Sequence, residues 1–150
     1  HFDMVRLGIG LHGISATHAN LQPVSSFKTY ISSIREVPEG QSIGYGRKSY
    51  TTRPSRIAVI PVGYADGLNR HLSNRVGNVF IKGKRVPIIG NICMDTCMID
   101  VTDTNAAIGD EVEIFGKHIL VSELSEQLGT IPYEILTGIS HRVKRVYYKE

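Results

Sequence analysis

Short β-branched runs, cut by glycine-bearing turns, constrain the fold of this chain most. Arg56-Ile57-Ala58-Val59-Ile60-Pro61-Val62 is apolar and bounded by polar residues, the pattern of a buried strand. Asn78-Val79-Phe80-Ile81 and Val86-Pro87-Ile88-Ile89 flank Lys82-Gly83-Lys84-Arg85, which reads as a four-residue hairpin loop, with Pro87 pointing to a sheet edge. Met98-Ile99-Asp100-Val101 and Glu111-Val112-Glu113-Ile114-Phe115 continue the series, with Gly109-Asp110 and Gly116-Lys117 as turns. Earlier in the chain, Met4 to Ile9 alternates as a strand does, and Phe27 to Val37 is one β-branched, roughly alternating run. Arg142 to Tyr148 reads as a closing strand. Helical signals gather only near the end. Ser122 suits an N-cap, Leu124 and Leu128 lie one turn apart, Gly129 can end the helix, and Pro132 can open a second one through Leu136. Many short strands with turns every eight to twelve residues predict a mainly β, small barrel-like domain with one or two short helices.

Composition narrows the class. A chain of 150 residues, 41% hydrophobic and 21% charged, holds one core more readily than two. No apolar stretch approaches membrane-spanning length and no signal-peptide pattern opens the chain, so it is expected to be soluble and cytoplasmic, away from membranes. The net charge of +3 is dispersed except at residues 82–85 and 141–145, a weak case for nucleic acid, which calls for a denser basic face with interleaved aromatics. Cys93 and Cys97 are the only cysteines and lack the second pair that a zinc site needs, so two reduced, buried thiols are expected. The six histidines include no pair at helical spacing, and no metal is expected. The first residue is His1, and the chain reads as a piece of something longer, with a seam near residue 20.

Five blocks carry chemistry. Tyr45 in Ser42-Ile43-Gly44-Tyr45-Gly46 and Tyr64 in Gly63-Tyr64-Ala65-Asp66-Gly67 have neighbours too small to cover a phenol. Each is either a turn tyrosine with its hydroxyl in water or a group presented to a ligand. Gly8-Ile9-Gly10-Leu11-His12-Gly13 matches a dinucleotide fingerprint, but no apolar helix face follows it and no acidic residue stands about twenty positions on. A phosphate cradle of backbone N–H groups remains. Arg6, just before it, either caps a strand edge or holds a ligand's ring nitrogen or a second anion. Asp95, in Gly90-Asn91-Ile92-Cys93-Met94-Asp95, is a carboxylate in an apolar block and needs a partner or a functional reason. Tyr133, at a helix start, either donates its hydroxyl to an anion or packs in the core.

Arg6-Leu7-Gly8-Ile9, the Tyr45, Tyr64 and Met94 blocks, and Ile131-Pro132-Tyr133-Glu134 occur in the order and approximate spacing of alanine racemases, which this chain resembles over residues 3 to 145. The resemblance implies a pyridoxal 5′-phosphate enzyme with an N-terminal (β/α)8 barrel and a C-terminal β domain, working as a head-to-tail homodimer. Residues 1–20 would be the end of the barrel and its exit linker, and residues 21–150 the β domain. Gly8 and Ile9 would give N–H groups to the cofactor phosphate, Tyr133 would add a hydrogen bond there, and Arg6 would face the pyridine nitrogen. Tyr45 resembles the catalytic tyrosine and Met94 the residue whose N–H meets the substrate carboxylate. Tyr64, Arg70, Asp95 and Ile131 would surround the site and its entrance. The implied reaction interconverts L- and D-alanine, a small amino-acid substrate, for bacterial peptidoglycan precursors.

Racemisation needs acid–base groups on both faces of the reacting carbon. A phenol serves as a base only where cationic neighbours favour its ionised form. The second group, the family's cofactor lysine, matches none of the seven lysines here and lies outside this chain, which is expected to be silent by itself. Asn91, His12 and His141 depart from the residues common in the family, and Asn91 removes a usual charge from the entrance. Related broad-specificity racemases or decarboxylases, and a noncatalytic β-barrel interaction module, are the alternatives.

Overall fold

The computed structural model describes residues 3–15 and 21–148. Its strands are β1 (Phe27–Tyr30), β2 (Ser33–Val37), β3 (Ser42–Ile43), β4 (Ser49–Tyr50), β5 (Ser55–Ile60), β6 (Asn78–Ile81), β7 (Lys84–Ile89), β8 (Cys97–Asp100) and β9 (Glu111–Phe115). Two helices follow, α1 (Val121–Leu128) and α2 (Pro132–Thr137). Seven strands form one antiparallel sheet in the order β1-β9-β6-β7-β8-β5-β2, and β3 and β4 make a separate ribbon. The two edge strands, β1 and β2, are consecutive in the chain. Their two-residue link is bonded to both sides of the sheet: the Ile31 N–H donates to the Asp110 carbonyl at 3.0 Å and the Ser32 N–H to the Val59 carbonyl at 2.9 Å. The sheet therefore curls back on itself as a half-barrel, the mainly β architecture that the strand pattern predicts.

The inside of the curl is the core. Val79, Ile81, Ile88, Ile99 and Val112 are at most 1% exposed, and each such side chain contributes about 1.5–3 kcal/mol of burial. Val121 and Leu124 of α1 join the same cluster, and Ile135 of α2 packs against it.

The structure departs from the expectations in ways that share a cause. Residues 4–8 form no strand and Ile9–His12 is a short 3-10 helix; Met4, Val5 and Leu7 are more than 70% exposed, with no strand beside them among the described residues. Residues 142–148 likewise form no strand. Alternation alone makes a strand only where a neighbour accepts its ladder. The 27–37 run divides at Ile31, because its halves pair with β9 and β5 respectively. The hairpin loop is two residues long: Lys82 and Gly83, at φ 47° and 80°, make the tight reversal whose twist suits β6 and β7, and Lys84 and Arg85 belong to β7.

Pro87 is not on an edge strand. The Ile88 N–H donates toward β6, to the Gly77 carbonyl, so position 87 faces β8, whose ladder starts only at Ile88. No N–H is required there. Leu120 rather than Ser122 precedes α1, and its N–H donates to Glu123 at 3.4 Å. Gly129 ends α1 at φ 64° and Pro132 opens α2, as expected. The expected seam near residue 20 falls beside residues 16–20, outside the described residues. Among the described residues no helix is long and apolar enough to cross a membrane.

Candidate active site

Three turns converge on one cleft. The first presents Tyr45 between Gly44 at φ 75° and Gly46 at φ 78°, with Arg47 at φ 48°, a left-handed backbone that throws the phenol outward to 78% exposure. The second carries Tyr64 and is closed by Asp66, whose carboxylate accepts the Gly63 N–H at 2.8 Å. The third is the 91–96 loop. Turns two and three touch through their backbones: the Tyr64 N–H donates to the Cys93 carbonyl and the Ala65 N–H to the Met94 carbonyl, each at 3.0 Å. Only glycine permits this at position 63, since a Cβ there would sit 2.3 Å from both carbonyl oxygens.

Arg70 is tied in by Ser73, a buried hydroxyl that donates to the Arg70 carbonyl at 2.6 Å and accepts the Ile92 N–H at 3.0 Å. The resulting cleft, about 710 Å³, is lined by Tyr45, Tyr64, Arg70, Asn91, Met94 and Asp95 among others. The six residues named here, each singled out from the sequence, thus line one cleft.

Asp95 has its partner in Arg142. One guanidinium spans two carboxylates, with Nε 2.7 Å from Asp66 and Nη2 2.6 Å from Asp95. These partners, Asp66 first, hold the Arg142 guanidinium above its ordinary value. Sequence reasoning missed this residue, placing it in a solvated basic cluster. The signal was there in Asp66 and Asp95, two lone acids in turn and apolar settings. The other basic cluster is also engaged: Arg85 forks onto Glu123 at 2.7 and 3.1 Å, and Lys82 meets Asp110 at 2.9 Å. Cys93 is only half-buried and lines the cleft, contrary to the expectation of two buried thiols. Cys97 is buried, and burial, helped by Cys93, pushes its thiol up to about 12. Among the described residues no cluster of His, Cys, Asp or Glu could hold a metal ion.

A second group forms elsewhere. A Cβ on Gly8 would lie 3.2 Å from the Tyr133 hydroxyl, so glycine is what lets this phenol approach the 8–9 backbone. Neither the Gly8 nor the Ile9 N–H has a hydrogen-bond partner among the described residues. Two open N–H donors beside an exposed phenol could hold an anion. Arg6 is exposed nearby in sequence. A smaller cleft of about 300 Å³, beside α2, shares Tyr64 and Arg70 with the first. Arg6, Ile9, Ile131 and Tyr133 line neither cleft.

Comparison with known proteins follows the same lines. The family model described as alanine racemase, C-terminal domain, matches residues 24–147. Alanine racemase 2 of Caldanaerobacter subterraneus subsp. tengcongensis is 50% identical over 157 residues, covering 98% of this chain and 40% of that protein. The solved alanine racemase of Streptomyces coelicolor A3(2) superposes with a TM-score of 0.92 at 35% identity, over 100% of this chain and 42% of its own. The Bartonella henselae alanine racemase, solved with covalently bound pyridoxal phosphate, gives 0.89 at 38% identity, over 94% and 40%. The chain spans about two fifths of the length of the relatives it matches.

Proposed function

The chain belongs to the alanine racemase family, whose C-terminal domain it is, and from that premise we propose that it supplies the tyrosine base of a pyridoxal-phosphate-dependent enzyme interconverting L- and D-alanine. On this reading residues 21–150 are the β domain and residues 1–20 the end of the preceding barrel, and the D-alanine formed serves peptidoglycan precursors in the cytoplasm.

The observation that carries the reading is the placement of Tyr45 and Met94 on one cleft. The Cys93 carbonyl and the Met94 N–H belong to one planar peptide. With that carbonyl held by the Tyr64 N–H, the Met94 N–H points the opposite way, and it has no partner among the described residues. An N–H so fixed is suited to a substrate carboxylate. Tyr45, exposed at the mouth of the same cleft, moves a proton at its Oη on one face of the alanine Cα. The opposite face is served by a lysine outside this chain. Tyr64, Arg70, Asp95 and Ile131 frame the entrance.

The cofactor fits the second group. Gly8 and Ile9 N–H groups and the Tyr133 hydroxyl would hold its phosphate, and Arg6 would present its fork of donors to the ring nitrogen. When bound, the cofactor withdraws electrons from Cα and so makes its proton removable. Since the Tyr45 cleft and the Gly8–Tyr133 group are separate, the reading assigns them to two different sites of a head-to-tail dimer. A decarboxylase needs no second base, so an exposed phenol on a carboxylate-binding cleft favours racemisation. The engagement of Arg85, Lys82 and Arg142 in ion pairs weighs against a nucleic-acid module.

Tyr45→Phe in the full-length enzyme tests this. Racemisation should fall by about 10²–10⁴-fold, the usual worth of general acid–base catalysis, while exchange of the Cα proton with solvent survives better for one enantiomer. Equal, mild losses for both enantiomers would make Tyr45 a packing residue.

A further inference from the structure

The turn that presents Tyr45 has little beneath it. Its flanking strands, β3 and β4, are two residues each, three of its residues lie in the left-handed region, and the phenol is 78% exposed. What reaches the turn is a line of side chains. Asn91 Nδ2 donates to the Tyr45 carbonyl at 2.7 Å, Asn74 Nδ2 donates to Asn91 Oδ1 at 3.0 Å, and the Ser49 hydroxyl donates to Asn74 Oδ1 at 2.8 Å.

The direction of every bond in this line is set by one end. A backbone carbonyl only accepts, so Asn91 must offer it the NH₂ and turn its oxygen to Asn74, which then has only its own oxygen left for Ser49. The line starts from Tyr45 and returns to Ser49, closing around the turn. It is anchored in hydrogen-bonded backbone: the Asn74 N–H donates to the Gly90 carbonyl at 3.0 Å, and Ile92, which follows Asn91, is 1% exposed with its N–H on the Ser73 hydroxyl. Gly44 closes the other side, where an added Cβ would meet Met98 Cε at 3.0 Å and the Asn91 nitrogen at 3.4 Å.

We propose that Asn91, relayed through Asn74 to Ser49, is the positioning residue of Tyr45: an uncharged amide clamp that fixes where the phenol points. The proposal rests on the reading of Tyr45 as the base. It also gives a physical sense to the amide at position 91. An arginine there could donate to the Tyr45 carbonyl, but it has no acceptor for the Asn74 NH₂, so the relay is open only to a side chain that both donates and accepts.

The test uses Asn91→Asp and Asn74→Gly in the full-length enzyme, each alone and combined with Tyr45→Phe. Aspartate keeps the size of Asn91 and loses the donor; glycine keeps the φ of 57° that Asn74 adopts and loses the relay. Racemase kcat should fall on the order of tenfold in either variant, as misplacement of a reacting group does, with KM little changed. Neither substitution should cost anything further once Tyr45 is Phe. In protein labelled with 3-fluorotyrosine, the ¹⁹F resonance that Tyr45→Phe deletes should shift or broaden in both variants. An unmoved Tyr45 resonance overturns the proposal, and so does a kcat loss that persists in the Tyr45→Phe background. If Tyr45→Phe by itself racemises like the wild type, the base reading falls, and the clamp is then decided by the resonance alone.

Discussion

Arg142 answers two carboxylates at once, and removing it would leave Asp66 and Asp95 facing each other across the turns that carry Tyr64 and Met94. The Asp66 side chain is 14% exposed, so water screens that charge poorly. Arg142→Gln in the full-length enzyme should raise KM for alanine on the order of tenfold and lower kcat less, because repulsion between the two carboxylates would strain the contact of the turns that carry Tyr64 and Met94. Steady-state kinetics in both directions would check this, and Arg142→Lys, which cannot fork, should fall between. Glu113 poses a separate question of pH. Burial by itself would push its carboxyl up, but the His118 N–H at 2.7 Å, the His118 ring at 3.1 Å and the Ile119 N–H at 3.2 Å outweigh burial and hold it below its ordinary value of 4.5. A carboxyl depressed in the folded state contributes stability that is present above 4.5 and lost as pH falls through the folded value. Glu113→Gln should therefore cost about 2 kcal/mol near neutral pH, and the gap from wild type should shrink under acid. Urea unfolding across the acid range would show it; a gap constant at every pH would mean that the charge is idle.

Among the elements, the junction of the 63–67 turn with the 91–96 loop is a close backbone contact. Two backbone hydrogen bonds join them, and a methyl at position 63 would strike carbonyl oxygens that cannot rotate away. Gly63→Ala should cost about 3 kcal/mol by overpacking and abolish measurable racemisation, because the loop that presents Met94 must separate from the turn that presents Tyr64. Gly40→Ala is the contrast: nothing lies within 4 Å of its added Cβ, so only the strain of φ 77° is felt. Thermal unfolding of both variants, beside their activities, separates the steric effect from the conformational one. Equal losses at the two sites would show that the close approach at Gly63 matters little.

At the scale of the whole molecule, the curled sheet holds the Tyr45 cleft as one unit, while Gly8 and Tyr133 form a separate group. If the full-length enzyme is a dimer in which each catalytic site takes its tyrosine from one subunit and its lysine from the other, as proposed, the two losses should complement. A full-length subunit lacking only the cofactor lysine and one carrying Tyr45→Phe should each be nearly inactive as homodimers. Allowed to exchange subunits, they should form hybrids with one complete site and one that lacks both groups. Activity should return in proportion to the hybrid fraction, measured by native mass spectrometry. Hybrids that form and stay inactive would place Tyr45 within its own subunit's chemistry.

Local physics made most strands legible from residue order alone. A β-branched run bounded by glycine turns carries its own periodicity, which is why β5, β6, β8 and β9 fall near where the pattern puts them, and why Gly129 and Pro132 mark helix ends. The exposed tyrosines were legible too, since glycine neighbours leave a phenol uncovered in any fold. Partnership was not legible. Residues 4–8 and 142–148 read as strands yet pair with no strand among the described residues, Pro87 sits inside the sheet because the adjoining ladder starts one residue later, and the 27–37 run splits between two partners. The site divides the same way: its residue types could be read from short blocks, but Asn91 reaches Tyr45 across 46 positions and Arg142 reaches Asp66 across 76. Such bonds are decided by how the sheet curls, because a hydrogen bond or ion pair needs its groups within about 3 Å, a condition that chain order does not encode and only the packed core can impose.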